Sequence, residues 1–390
     1  MSATKIALLR GFWLNNFEMQ NYAPLQNQGF ELAAYATADH LFEVNLIQMP
    51  VTVLPTPRTV AARVPGVRRL VGNNFRRRGI HEYWPQDVDK LVATTDIVHA
   101  AETTNGFSWQ AAQAAKKRNK RLVLTIWENI PFLYEDRPGV QAQKQEVVAA
   151  TDLFLAITER ARTALRIEGI PEEKIRVIGC GIDQSHFQPT AKDAAMLDRF
   201  GLSADDLVIL CACQLLPSKG LYEFFSAIAL LRERRQLPPN VRVLLIGEGA
   251  GRAALEARRA RLRLDEVLLM PGKVSYAEMP VVHNLANIFV LPSIPTPTWQ
   301  EQFGMVLAES MACAKPVIST LSGSIPDVVG EDGLLVQAAD PTALADALAT
   351  LISDEALRAQ LGEKALVRAR AQFDSQRVAE TIAACYRELF

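Results

Sequence analysis

The residues with the most chemical content lie between Pro292 and Pro316, in the run PSIPTPTWQEQFGMVLAESMACAKP. The text there reads as a strand end, a proline-rich loop, and a helix starting near Phe303 and Gly304. Amides at a helix start lack intrahelical acceptors and can face an anionic or hydroxyl-rich ligand. Glu301 precedes that helix. Glu309 lies inside it, one turn after Met305, and helical side chains lean back toward the N-terminus. Both carboxylates can therefore address one ligand. As pure acceptors when ionised, they suit the vicinal hydroxyls of a sugar or a ribose. The plainer alternative is that Glu301 favours the helix dipole and Glu309 sits on a solvated face; spacing alone does not displace it.

The elements that must position these groups follow a repeated rhythm. A chain of 390 residues is too long for one ordinary core and suits two domains of roughly 150 to 200 residues. In the first half, aliphatic runs at Lys5 to Leu9, Asp96 to His99, Arg121 to Ile126, Leu153 to Ile157 and Lys174 to Ile178 read as strands. They alternate with helical text such as the Ala- and Gln-rich Ser108 to Arg118. After Gly181-Ile182-Asp183 and the polar Gln184 to Thr190 the rhythm restarts. Its strands read at Val208 to Ala212, Val241 to Ile246, Val267 to Met270, Ile288 to Leu291 and Pro316 to Ser319. Alternating strands and helices imply parallel sheets covered on both faces. Asp340-Pro341 opens a helix as N-cap and first-turn proline, and Ser375 to Leu389 is helical text.

Composition removes several function classes. A formal net charge of -1 gives no global attraction to nucleic acid. The apolar start is too short for a signal-peptide core, and no apolar run reaches the membrane-spanning length of about 18 residues. These readings place the chain in the cytoplasm, or peripherally on the inner face of a membrane. Five cysteines without a C-x-x-C pair argue against a disulfide framework or a zinc site; Cys211 and Cys213 read as same-face residues of a buried strand. Gly247-Glu248-Gly249-Ala250-Gly251 departs from the dinucleotide fingerprint. Asp87-Val88-Asp89, formally a D-x-D, reads as a solvated helix start and not as a metal pair closing a strand.

The stretch EQFGMVLAESMACAKPVI resembles the E-x7-E motif of the retaining glycosyltransferases grouped as family 4. The resemblance continues in IRVIGCGIDQSHFQP at 175–189, LLPSKG at 215–220, LLIGEG at 244–249 and MPGKVS at 270–275. It implies the α/β GT-B fold: two Rossmann-like parallel-sheet domains facing each other across a cleft. The expected boundaries are 1–183 for an acceptor-side domain and 184–370 for a nucleotide-sugar-binding domain, with a C-terminal helix at 371–390 packing back on the first.

The same resemblance implies the roles. Lys219 grips the diphosphate, Glu301 binds donor hexose hydroxyls and Glu309 the ribose. Amides around Phe303, Gly304 and Met305 meet the sugar or phosphates, and Val274 lies against the base. Gly11, Gln214 and Gly247 complete the donor-binding set, with Lys219 and Glu301 as the catalytic pair and no metal or other cofactor. Independently, breaking a glycosyl-phosphate bond builds negative charge on the leaving oxygen, so a fixed cation there acts most strongly in the transition state. One departure stands out: Gln214 occupies the place of the family's usual arginine, and an amide carries no charge. Arg10 or Lys273 is the expected compensating cation.

On the acceptor side, Trp127 and Glu128 occupy the turn after Arg121 to Ile126, where the family presents a histidine. His99 and Glu102 lie at a second strand end. These four are the acceptor-side candidates, although a buried, hydrogen-bonded His99 is the plainer reading. From Arg58 to Arg78 there are seven arginines and no acid, interleaved with aliphatics, a pattern suited to an anionic membrane or an acidic acceptor. The implied reaction moves a hexosyl unit from a nucleotide-diphosphate sugar to a hydroxyl on a glycan, a lipid-linked carrier or a small molecule, with retention. A small-sugar disaccharide synthase or phosphorylase is one alternative. A catalytically impaired nucleotide-sugar-binding or scaffold subunit is the other.

Overall fold

The computed structural model describes residues 3–56, 59 and 83–390. The chain divides into two compact units, Met1–Gly181 with Ser375–Phe390, and Ile182–Asp374.

Among the described residues, the first unit holds seven parallel strands: β1 Thr4–Gly11, β2 Phe30–Thr37, β3 Val51–Leu54, β4 Ile97–Ala101, β5 Arg121–Ile126, β6 Leu153–Ala156 and β7 Ile175–Val177. They are ordered β3-β2-β1-β4-β5-β6-β7. Alternating residues of β1 enter different clusters. Ala7 and Leu9 pack with Phe107 and Ala111 of the helix Gly106–Arg118, while Ile6 and Leu8 pack with Ile382 and Tyr386. Burial on both faces is what converts these strands into near-continuous apolar runs.

The second unit holds six parallel strands: β8 Leu207–Ala212, β9 Val241–Ile246, β10 Leu268–Gly272, β11 Ile288–Leu291, β12 Val317–Thr320 and β13 Leu334–Val336, ordered β10-β9-β8-β11-β12-β13. Ile209, Cys211, Val243, Leu245 and Val290 face Phe224, Phe225 and Ile228 of the helix Leu221–Glu233, together with Leu344 and Leu348. In each sheet the strand order reverses once, between β1 and β4 and between β8 and β11. Crevices at such reversals, outside the carboxyl ends of the strands, are where open α/β sheets hold ligands.

The structure adds strands that the sequence pattern did not signal. β2 (FELAAYAT) is rich in alanine, which carries little strand signal, while β3 and β13 have four and three residues, too few for a periodic signal. The helix expected near Phe303 runs Met305–Ala312, with Gly304 as its N-cap. The C-terminal helix begins at Ser375, where its helical text begins, four residues after the expected 371 bound. The preceding helix Glu355–Gln372 runs almost to that point, and Phe373 and Asp374 stay with the second unit. The N-cap of the helix Pro341–Ser353 is Asp340, whose carboxylate accepts from the amides of Thr342 and Ala343. The arginine-rich segment Arg58 to Arg78 lies outside the described residues.

Candidate functional site

At the reversal point of the second unit, the loops after β8 and β11 touch. After β8 the chain makes a short 3-10 turn over Pro217–Lys219 and enters the helix Leu221–Glu233 through Gly220, at φ 65°. A Cβ on Gly220 would lie 1.9 Å from the Pro292 carbonyl oxygen, so only glycine permits this approach. The contact places Lys219 beside the loop after β11. Its Nζ lies 2.7 Å from Glu301 Oε2 and 4.4 Å from the Trp299 ring centroid. Ser293 Oγ donates to the same carboxylate oxygen at 2.6 Å.

Glu301 is buried, and its backbone is held as firmly as its side chain. The Ser324 amide donates to the Glu301 carbonyl at 2.8 Å, and a Cβ on Gly323 would meet that oxygen at 2.0 Å. The plainer reading of Glu301, a carboxylate that only favours a helix dipole, does not describe this arrangement. A half-buried ammonium on a buried carboxylate can exchange partners with a ligand carrying both phosphate and hydroxyl groups.

Glu309 is also buried and not on a solvated face. Tyr276 donates its hydroxyl to Oε1 at 3.0 Å, and His283 Nε2 lies 3.3 Å from Oε2. Val274 is buried two residues before that tyrosine, whereas Lys273 is exposed. Phe303 packs its ring edge-to-face on Phe373 at 5.5 Å between centroids. Its side chain is therefore core, and only its backbone and the Gly304–Met305 helix start offer ligand contacts. Gly247 follows β9 and donates its amide to the Gly272 carbonyl, and exposed Gln214 follows β8. The loops bearing Lys219, Glu301, Gly247 and Val274 thus all leave the carboxyl edge of one sheet.

The first unit corrects one expectation, that of Arg10, and gives His99 its plainer reading. Arg10 is fully buried. Its guanidinium donates to Glu18 Oε1 at 2.7 Å, to the Tyr22 hydroxyl at 3.0 Å, and to the Leu9 and His99 carbonyls. All three of its nitrogens are spent inside the core, so Arg10 is not the cation that offsets Gln214. His99 is a core residue too: Nδ1 meets the Tyr386 hydroxyl at 2.5 Å and Nε2 meets Thr125 Oγ1 at 2.8 Å. With both ring nitrogens occupied and no exposed surface, His99 offers an acceptor nothing.

Glu102, Trp127 and Glu128 do come together. Glu102 directly follows β4 at φ 63° and accepts the amides of Trp127 and Glu128 at 2.7 and 3.1 Å. Glu128 turns back to accept the amides of Asn129 and Ile130, each at 2.9 Å. Burial pushes the Glu102 carboxyl up to about 8, the nearby Glu128 charge adds to this, and the two amides oppose it. Gly11, at φ 58°, donates its amide to the Tyr83 hydroxyl at 2.9 Å. Asp89 is held by Lys117 and Arg118, which suits an ordinary helix-surface carboxylate.

Ser293, Trp299, Tyr276 and His283 were not singled out from sequence. Trp299 stands two residues before Glu301 and Ser293 two residues after β11, so both lie within reach of a local reading. Tyr276 and His283 lie 33 and 26 residues from their carboxylate, and no local pattern connects them to it.

Two doubly wound α/β units, the second carrying a cation and a carboxylate at its reversal point, have the architecture of α/β proteins that bind ligands at the carboxyl edge of a sheet. The comparisons are specific. The model of glycosyl transferases group 1 matches residues 195–368, and that of Glycosyltransferase Family 4 matches residues 26–186. A D-inositol 3-phosphate glycosyltransferase of Xylanimonas cellulosilytica is 31% identical over 296 residues, covering 70% of this chain and 68% of that protein. Its counterpart in Streptomyces avermitilis is 31% identical over 285 residues, covering 69% and 60%.

Among solved structures, Anabaena Alr3699/HepE in complex with UDP aligns with a TM-score of 0.77 at 20% identity, over 99% of this chain and 100% of that one. Sucrose-phosphate synthase of Thermosynechococcus elongatus aligns with a TM-score of 0.73 at 20% identity, over 99% of each. The chain belongs to the group 1, family 4 glycosyltransferases, nucleotide-sugar-dependent enzymes of GT-B fold.

Proposed function

We propose that this chain transfers a hexosyl unit, with retention of anomeric configuration, from a uridine-diphosphate sugar to a hydroxyl acceptor. The observation that carries this reading is the Lys219–Glu301 pair, with its carboxylate buried, braced by Ser293 and Trp299. On donor binding, the Lys219 ammonium turns to the diphosphate and Glu301 to the hexose hydroxyls. The charge developing on the leaving phosphate then meets a cation already held in place. Glu309 takes the ribose, Val274 packs on the base, and the amides at Gly304 and Met305 meet the sugar or phosphates. The acceptor hydroxyl attacks from the face that the diphosphate leaves, and the departing phosphate takes its proton, so no enzymic base is required.

UDP is the nucleotide that Alr3699/HepE holds, which supports testing it first. Glu102, Trp127 and Glu128 are the acceptor-side candidates that stand at strand ends of the first unit. An anionic membrane remains a proposed partner of the Arg58 to Arg78 segment. No helix among the described residues is long and apolar enough to cross a membrane. The test is turnover of UDP-sugars against an acceptor panel, with the product anomer read by NMR. Retention with loss of turnover in Lys219→Ala and Glu301→Ala supports the assignment; an inverted product overturns it. Binding without turnover across the panel would favour the scaffold alternative that Gln214 and Trp127 raise.

A further inference from the structure

The Glu309 carboxylate is held from one direction by a single chain segment. Tyr276 comes from the turn Tyr276–Glu278 and His283 from the helix Met279–Leu285 that follows it. A carboxylate only accepts, so the bonds run from the Tyr276 hydroxyl to Oε1 at 3.0 Å and from the His283 Nε2–H to Oε2 at 3.3 Å. Each oxygen therefore has one donor and keeps lone-pair capacity for a second.

The two donors are themselves fixed. A capping box ties Ser275 to Glu278, whose carboxylate accepts from the Ser275 amide at 3.0 Å and from its hydroxyl at 2.8 Å. The Phe187 ring lies 5.8 Å from Tyr276 and 5.9 Å from His283, and Phe289 lies 5.4 Å from His283 on another side. His283 is fully buried. A rigid, ring-packed setting for both donors removes the carboxylate's freedom to rotate, which sharpens any geometric preference it has for a diol.

We propose that Tyr276 and His283 are positioning residues for ribose recognition, setting the Glu309 carboxylate so that the enzyme distinguishes a ribonucleotide from a 2′-deoxyribonucleotide. This rests on the reading of Glu309 as the ribose contact. It extends that reading by making the segment 274–283 responsible for the whole nucleoside, through Val274 on the base and through Glu309 on the sugar.

The experiment measures binding of UDP, GDP and ADP and of their 2′-deoxy counterparts by calorimetry, and takes the ribo-to-deoxy affinity ratio for the tightest pair. The variants are Tyr276→Phe, His283→Leu, His283→Gln and Glu309→Gln, each checked for its ligand-free melting temperature. Tyr276→Phe removes a single oxygen and keeps the ring packing. The expected result is a fall in the ratio of about tenfold in Tyr276→Phe and His283→Leu, the scale set by one hydrogen bond to a charged group. His283→Gln, which retains an N–H donor, recovers part of it. A purely structural role lowers both affinities together and leaves the ratio at the wild-type value. That outcome, with Glu309→Gln losing the ratio, overturns the inference alone. A wild-type ratio near one, an unchanged ratio in Glu309→Gln, or no binding of any diphosphate overturns the ribose reading and the inference with it.

Discussion

Gly220→Ala is the substitution whose consequence the geometry specifies most closely. The added Cβ would sit 1.9 Å from the Pro292 carbonyl oxygen, 1.1 Å inside the 3.0 Å approach that such atoms essentially never breach. The obstruction is backbone, so the loop after β8 must move by about an ångström, and Lys219, one residue away, moves with it. A displacement of that size at a reacting site costs about 10²-fold in rate. Stability falls from two sources: the left-handed φ of 65° costs a residue with a Cβ about 1–2 kcal/mol, and the clash adds about 1–3 kcal/mol. Gly201 isolates the first source, because it also sits at φ 65° but a Cβ there meets nothing within 4 Å. Steady-state kcat/KM and chemical denaturation of both variants give the comparison. Gly201→Ala should lose about 1–2 kcal/mol and keep its activity, whereas Gly220→Ala should lose more stability and most of its turnover. Equal stabilities and equal activities in the two variants would refute the argument that the contact between the β8 and β11 loops sets the Lys219 position.

Removing either member of the Lys219–Glu301 pair takes a counter-charge from the other, half-buried for Lys219 and buried for Glu301. Lys219→Met and Glu301→Gln should each cost about 1–3 kcal/mol in chemical denaturation, while the double variant costs clearly less than their sum; additivity would mean the pair is not coupled. Glu102 gives a pH signature. Its folded-state value is raised from 4.5 to about 8, so its contribution favours folding below about pH 4.5 and is lost as pH rises through 8. Glu102→Gln mimics the protonated form, and thermal unfolding between pH 5 and 9 should show the variant gaining on the wild type up to about pH 8 and then levelling. A constant difference would remove the assignment. With Arg10 committed to the core, Lys273 is the exposed cation left to offset Gln214. Lys273→Ala should weaken calorimetric binding of the nucleoside diphosphate by about tenfold, and unchanged binding would end that idea.

The residues of the candidate site were legible in the sequence where they are close along the chain. Glu301, the helix start and Glu309 share one stretch of chain, and Lys219 lies in a short loop between a strand and a helix. The edges of the fold were harder. β2 pairs the whole length of β1, yet its alanines and single glutamate carry no strand signal; its conformation is decided by the neighbours that bury it. β3 and β13 are too short for periodicity to speak. The supports of the site were illegible for another reason: His283 and Tyr276 reach Glu309 across three elements, a relation that exists only once the sheet has formed. Arg10 shows the converse error. A lone arginine after an aliphatic strand reads as a ligand-facing cation, but Glu18 and Tyr22, folded over by the helix Asn16–Met19 and the turn after it, close around it.

The central claim is that the second unit holds a nucleotide sugar through Lys219 and Glu301. Calorimetric titration of the purified chain with UDP-, GDP- and ADP-sugars, repeated on Lys219→Ala and Glu301→Ala, tests it most directly. The predicted result is saturable binding of one donor series, with affinity reduced at least tenfold in both variants while each remains folded. Wild-type affinity in both folded variants, or no binding of any donor by the wild type, would contradict it.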